Sequence, residues 1–243
     1  MTVRGIETSP QAYARLAGLL YLFIIVAGFF AEVSVRSKLI VSGDAAATAT
    51  NIMAHESLFR VGGAGEILML VCDVTLALIF YVLLRPVDKN LALLAAFFRL
   101  VFAAIYGING LAHFAAVILL GNASVLKDFN PHQLQDLAYV SLRLHGYGYD
   151  ISLVFFGIHC LLLGYLIFRS GYIPKTLGVL LMIAAVGYLF NRFAVFVAPA
   201  FESKIALFVL LPGALAEYSL CLWLIIMGVN VSKWHAKANR VVS

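Results

Sequence analysis

An all-α membrane protein with six transmembrane helices is the fold class this sequence predicts, and three observations predict it. Of its 243 residues, 63% are hydrophobic and only 12% charged. Its mean hydropathy is +0.98. The apolar residues are gathered into six runs, each at least as long as the roughly 20 residues that cross a bilayer as a helix. A soluble domain of this length needs far less apolar surface, so the solvent is lipid. The connections leave no room for a soluble domain, and residues 1–243 read as one transmembrane domain.

The runs are Ala14–Val33, Val61–Leu84, Leu91–Leu120, His145–Phe168, Leu177–Val197 and Ile205–Val229. The first, around LAGLLYLFIIVAGFF, is long and no small-x-small site follows it, so it reads as an uncleaved anchor. Before the second run, Asp44 in SGDAAATATNIMAHE is placed to cap a short helix. The turns RPVDKN and RSGYIPK are tight and carry prolines, making spans 2–3 and 4–5 antiparallel hairpins. Ahead of span four, Asn130 and Pro131 form a helix start, and Leu134, Leu137, Ala138 and Leu142 recur at helical spacing. That helix either lies on the membrane surface or runs straight into the span.

The hairpins read as copies of one another. Ser57-Leu58-x-x-x-Gly62-x-x-x-Glu66 aligns with Ser141-Leu142-x-x-x-Gly146-x-x-x-Asp150 at an offset of 84 residues, and Gly213-x-x-x-Glu217 is a fragment of the same pattern. A three-fold repeat of helical hairpins is expected, with sites at the repeat interfaces.

The sequence pI of about 9.2 does not imply a nucleic-acid partner, because the basic residues are scattered over short loops. They set topology instead. Nine lie in the N-terminus, the 2–3 and 4–5 turns and the tail; six lie on the other side, at Arg36, Lys38, Arg60, Lys127, Arg143 and Lys204. Both termini are therefore expected in the cytoplasm, the membrane is read as the inner membrane of a bacterium, and Trp234 as an interfacial anchor beside the basic tail. Cys72, Cys160 and Cys221 all fall in apolar runs without ligand spacing and act as small hydrophobes.

Charge at membrane depth is costly, so ionisable residues inside spans face protein or water and have partners. The candidates are Glu66, Asp73, Arg99, His113, Asp150, His159, Arg192 and Glu217, with Asn109 and Asn191 as polar neighbours. At about 1.5 Å per residue, Glu66, His113, Asp150 and Arg192 form an outer layer, while Asp73, Arg99 and His159 lie deeper. Glu217 fits either. Asp73 with Arg99 reads as a structural ion pair, as does Asp150 with Arg192. Glu66 with His113 has no obvious structural purpose. In span four, Asp150, Gly157, Gly164 and Gly171 step by seven along a packing face, and His145, Ser152 and His159 step by seven on nearly the opposite one. Glu66, His113, Asp150, Arg192, Glu217, Asn109, His145 and His159 are thus the candidate lining of a cavity.

A metal would draw on Glu66, His113, Asp150 and His145, but no local motif such as HExxH supports one, and no metal or cofactor is assigned. His113 and His159 differ in depth by about 10 Å, which excludes a bis-histidine haem, and no GxSxG elbow supports serine catalysis.

The stretches ARLAGLLYL, GDAAATATNIMAHESLFR and FFGIHCLLLGYLIFRSGYIPKTLGVLLMIAAVGYL resemble the bacterial family called "domain of unknown function 4386", over about residues 12–230. The resemblance implies a six-helix integral membrane protein and carries over no functional residues. Three functions stay open: binding or passage of a small solute or protons, an intramembrane enzyme (with or without a metal) acting on a lipid-like substrate, and a structural or regulatory membrane partner. The bilayer is the partner read from sequence, with a small-molecule ligand under the first function; the oligomeric state is not readable.

Overall fold

In lipid every backbone N–H and C=O must find its partner within the chain, and long helices satisfy this internally. The structure, a computed structural model, describes residues 9–121 and 126–242; the side chains of 199–210 and 241–242 lie outside that description. Helix α1 is Pro10–Leu39, with a π-helical stretch over Phe30–Arg36. It is followed by α2 (Ala45–Ala54), α3 (Glu56–Leu84), α4 (Lys89–Leu120), α5 (Pro131–Ser170), α6 (Lys175–Val197), α7 (Pro199–Ile226) and α8 (Val231–Val242). Helices α1, α3, α4, α5 and α6 are long and apolar enough to cross a membrane. A sixth crossing is counted when Leu211–Ile226 is taken with Val231–Arg240, which turns away from it by 98°. The fold is an all-α polytopic bundle of five to six long apolar helices.

Local chemistry fixes the helix ends. The Asp44 carboxylate accepts from Ala47 N–H at 2.8 Å to start α2, and Asp88 accepts from Asn90 and Leu91 N–H, both at 3.0 Å, to start α4. Asn130 and Gln133 exchange side-chain-to-backbone bonds of 2.9 and 3.1 Å, a reciprocal capping box at the start of α5. The helix from Pro131 continues into the fourth span without a break, making α5 40 residues long. Gly171, at φ +77°, and Gly228, at φ +65°, terminate α5 and α7 in the left-handed region. Gly171 therefore ends the seven-residue stripe as a stop.

The described chain divides into two compact units whose boundaries fall inside α1, α3, α4 and α5. One contains residues 23–71 and 103–151. Its apolar core joins Val35, Leu39, Ile52, Phe59, Ala116, Val117, Ala138 and Leu142. Gly62 lets α1 approach α3, since a Cβ there would lie 2.9 Å from Val35 Cγ2.

The other unit contains residues up to 22, 72–102 and 152 onward. Here α5 and α6 meet backbone to backbone: a Cβ on Gly164 would lie 2.7 Å from the Gly178 carbonyl oxygen. At one end of this unit α8 is buckled across helix termini. Trp234, buried, donates from Nε1 to the Leu83 carbonyl at 2.9 Å. The Tyr172 hydroxyl donates to the same oxygen at 2.6 Å, and burial pushes that phenol above its ordinary range. Lys237 donates to the carbonyls of Arg169 and Ser170 at 2.5 and 3.4 Å. Trp234 is thus a buried helix-capping donor, where the sequence predicts an interfacial anchor beside the basic tail. Gln11 ties the start of α1 to the same end through Met227 O and Val229 N–H, each at 2.9 Å.

Candidate functional site

The unit formed by residues 23–71 and 103–151 buries a charged cluster built from four helices. Glu66 on α3 accepts from Arg36 of α1 through Oε1, and its Oε2 lies 3.6 Å from His145 Nε2 on α5. The same Arg36 nitrogen is 3.5 Å from His145 Nε2. The other Arg36 terminal nitrogen reaches Glu32, four residues back, at 3.3 Å, and the guanidinium also hydrogen-bonds Tyr106. His113, on α4, lies flat on Phe59 with ring centroids 4.0 Å apart and planes within 5°, and its edge meets His145 at 5.7 Å. Gly63 makes room for it: a Cβ there would lie 2.9 Å from the imidazole.

The imidazole of His113 is oriented by its neighbours. Its Nε2 lies 3.1 Å from the Phe59 carbonyl, which can only accept, so Nε2 carries the hydrogen and Nδ1 keeps its lone pair. Asn109 donates to the His145 carbonyl at 2.6 Å, fixing α5 against α4 next to that histidine. Glu66, His113 and His145 are each 5% exposed or less. One ligand atom from each lies within 4.8 Å of the others, close enough to hold a metal ion. A cavity of about 10 Å³ opens beside them, lined among others by Gly63, Glu66, Tyr106 and His113. That is about the space of one water molecule.

The other unit holds Asp73, Arg99, His159 and Glu217. Arg99 donates to Asp73 and approaches His159 Nε2 at 3.0 Å. His159 Nδ1 faces the Ala95 carbonyl at 2.8 Å, so Nδ1 carries the hydrogen and Nε2 accepts from Arg99. Tyr21, Phe80 and Phe156 surround the guanidinium, their ring centroids 5.6, 5.9 and 5.6 Å from its carbon. Every contact here fits a helix-locking network. Glu217 joins it through Tyr21: Tyr188 donates to one carboxylate oxygen at 2.6 Å and Tyr21, which flanks the Arg99 guanidinium, to the other at 3.1 Å.

Of the eight residues read as lining a cavity, the structure brings Glu66, His113 and His145 together, with Asn109 in support. Asp150 belongs to the same unit, half-buried. His159, Arg192 and Glu217 belong to the other; Arg192 there donates to Asn191 Oδ1. Sequence reasoning missed Arg36, which it assigned to an outside loop. The available signal was Glu32-x-x-x-Arg36, an i,i+4 pair straddling the end of the apolar run.

Fold and site together define a polytopic α-helical membrane protein with a buried polar cluster able to coordinate a metal. The chain belongs to the family "Domain of unknown function (DUF4386)", which matches residues 16–228. It is similar to an uncharacterised protein of Archaeoglobus fulgidus, 34% identical over 170 residues, covering 70% of this chain and 85% of that one. This relative is archaeal, so the comparison does not single out the bacterial setting expected from the sequence. No solved structure matches the chain.

Proposed function

We propose that this protein binds one transition-metal ion between Glu66, His113 and His145, and that the ion serves a metal-dependent reaction within the membrane. The observation that supports this is the convergence of the three buried ligand atoms within 4.8 Å. Two imidazoles and a carboxylate form the ligand set of catalytic zinc sites, which keep a fourth position open for water. The cavity of about 10 Å³ beside Glu66 and His113 suits that water. At this cluster it is too small for an organic solute. His113 has the oriented imidazole such a site requires, its other nitrogen donating to a backbone carbonyl. A metal there would supply Lewis-acid activation of the water.

The contacts linking Arg36, Glu66 and His145 also support a second reading, a proton-handling cluster without metal. Elemental analysis of purified protein separates the two. The metal reading expects one zinc or similar ion per chain, with His113→Ala and Glu66→Gln each weakening binding by more than the roughly 10–100-fold typical of supporting residues. Metal-free protein that gains no thermal stability from added zinc would sink it. We further read the termini as cytoplasmic from the Lys and Arg distribution, the membrane as an inner or plasma membrane, and the 84-residue offset as a hairpin repeat.

A further inference from the structure

Helix α8 is not apolar: its sequence VSKWHAKANRVV carries three cations and no acid. It also turns 98° from the helix before it. If α7 runs along the bilayer normal, α8 runs along the bilayer surface. Asn230 starts it by accepting from Lys233 N–H at 3.1 Å, and Trp234 pins one face to the end of α3. At 100° per residue, Lys233, Lys237 and Arg240 then fall on one flank of the buried Trp234. Lys237 adds the end of α5 to this flank through its bonds to Arg169 and Ser170. Arg169 and Arg240 lie close enough to act on Lys237 as like charges. Arg169 itself donates to the Tyr165 hydroxyl at 2.7 Å. Lys233 and Arg240 are exposed.

We propose that α8, with Arg169 beside it, is a headgroup-binding helix that lies on the bilayer surface and holds the phosphates of anionic phospholipids. Like charges held this close by a capped, buried-tryptophan helix repel one another, and an anion relieves that repulsion. The helix direction places the anion at headgroup level. Lipid is therefore the occupant that both charge and geometry select.

The test is native mass spectrometry of the full chain in detergent, titrated with phosphatidylglycerol and, separately, phosphatidylcholine. Phosphatidylglycerol is expected to bind more tightly. Each neutralised cation near a membrane surface weakens binding about five-fold, so Lys233→Gln with Arg240→Gln should lose roughly 25-fold for phosphatidylglycerol and nothing for phosphatidylcholine. Lys38→Gln with Arg143→Gln removes the same charge elsewhere and should change neither. Lys237 is left intact because it caps α5. Equal affinity for the two lipids in the unmodified protein, or equal loss in the Lys38/Arg143 variant, overturns the proposal. So does an oligonucleotide or acidic peptide that binds this helix as tightly as the lipid does. The metal reading is unaffected by any of these results.

Discussion

Glu66 accepts from Arg36 on one oxygen and faces His145 with the other, so Arg36 already neutralises the carboxylate that a metal would use. A metal at this site would sit beside a fixed positive charge. Arg36 has an alternative partner in Glu32, 3.3 Å from its other terminal nitrogen, toward which it can withdraw. Removing one member of a largely buried pair leaves an uncompensated charge and costs several kcal/mol, less where one partner is partly exposed. Arg36→Gln should therefore lower stability by about 2–3 kcal/mol without metal, and added zinc should restore more stability to this variant than to the unmodified chain. Arg36→Gln with Glu66→Gln should be more stable than Arg36→Gln alone and indifferent to zinc. Thermal unfolding with and without zinc measures both; if zinc rescues neither protein, Glu66 and Arg36 serve only each other. The acid and both histidines of this cluster were legible in the sequence because ionisable residues are conspicuous in apolar runs. Their grouping was only partly so: depth counting put Glu66 with His113 but set Arg192 beside them, and helix phase alone could not tell which face of α5 meets α4. Arg36 was hidden because hydropathy ends the first span at Val33, whereas the backbone stays helical to Leu39 through its π turn.

At the scale of elements, glycines decide which helices touch, and their surroundings separate seams from open faces. A methyl on Gly164 would press on the Gly178 carbonyl at 2.7 Å, backbone that cannot rotate away, whereas nothing lies within 4 Å of a Cβ on Gly146. Gly164→Ala should then force α5 and α6 apart and cost about 1–3 kcal/mol, the range for overpacking. Gly146→Ala should be neutral or stabilising by up to about 1 kcal/mol, because alanine is the better helix former. Unfolding temperatures of the two variants in the same detergent check the contrast, and equal destabilisation would mean the α5–α6 contact is not close-packed. Sequence spacing alone singled out Gly157, Gly164 and Gly171 together. The left-handed φ of Gly171 shows why periodicity over-reads: a glycine can complete a stripe and still be there for its backbone freedom. Caps were more legible, since Asp44, Asn130 and Pro131 act locally and need no tertiary partner. Trp234 shows the opposite case, because its role depends on the distant Leu83 carbonyl.

For the molecule as a whole, the long connections and the charge distribution bear on which end faces the cytoplasm. The sequence assigns nine Lys and Arg to the side of the termini and six to the other. Arg36 is one of the six, yet it lies within α1 and is bound to Glu66, so it is not a loop charge, and five remain. Loop cations near span ends are what orient a membrane protein, so taking Arg36 into the bundle strengthens the asymmetry. The tight turns between α3 and α4 and between α5 and α6 hold Arg85, Lys89, Arg169 and Lys175, and short turns are where the rule is strongest. α8 adds its basic flank, and the bonds of Gln11 bring the start of α1 to that same end. In a variant without native cysteines, His235→Cys should therefore resist a membrane-impermeant maleimide in intact cells and react once they are permeabilised. Ser42→Cys, exposed in the turn before α2, should react from outside without permeabilisation. The opposite pattern would reverse the orientation.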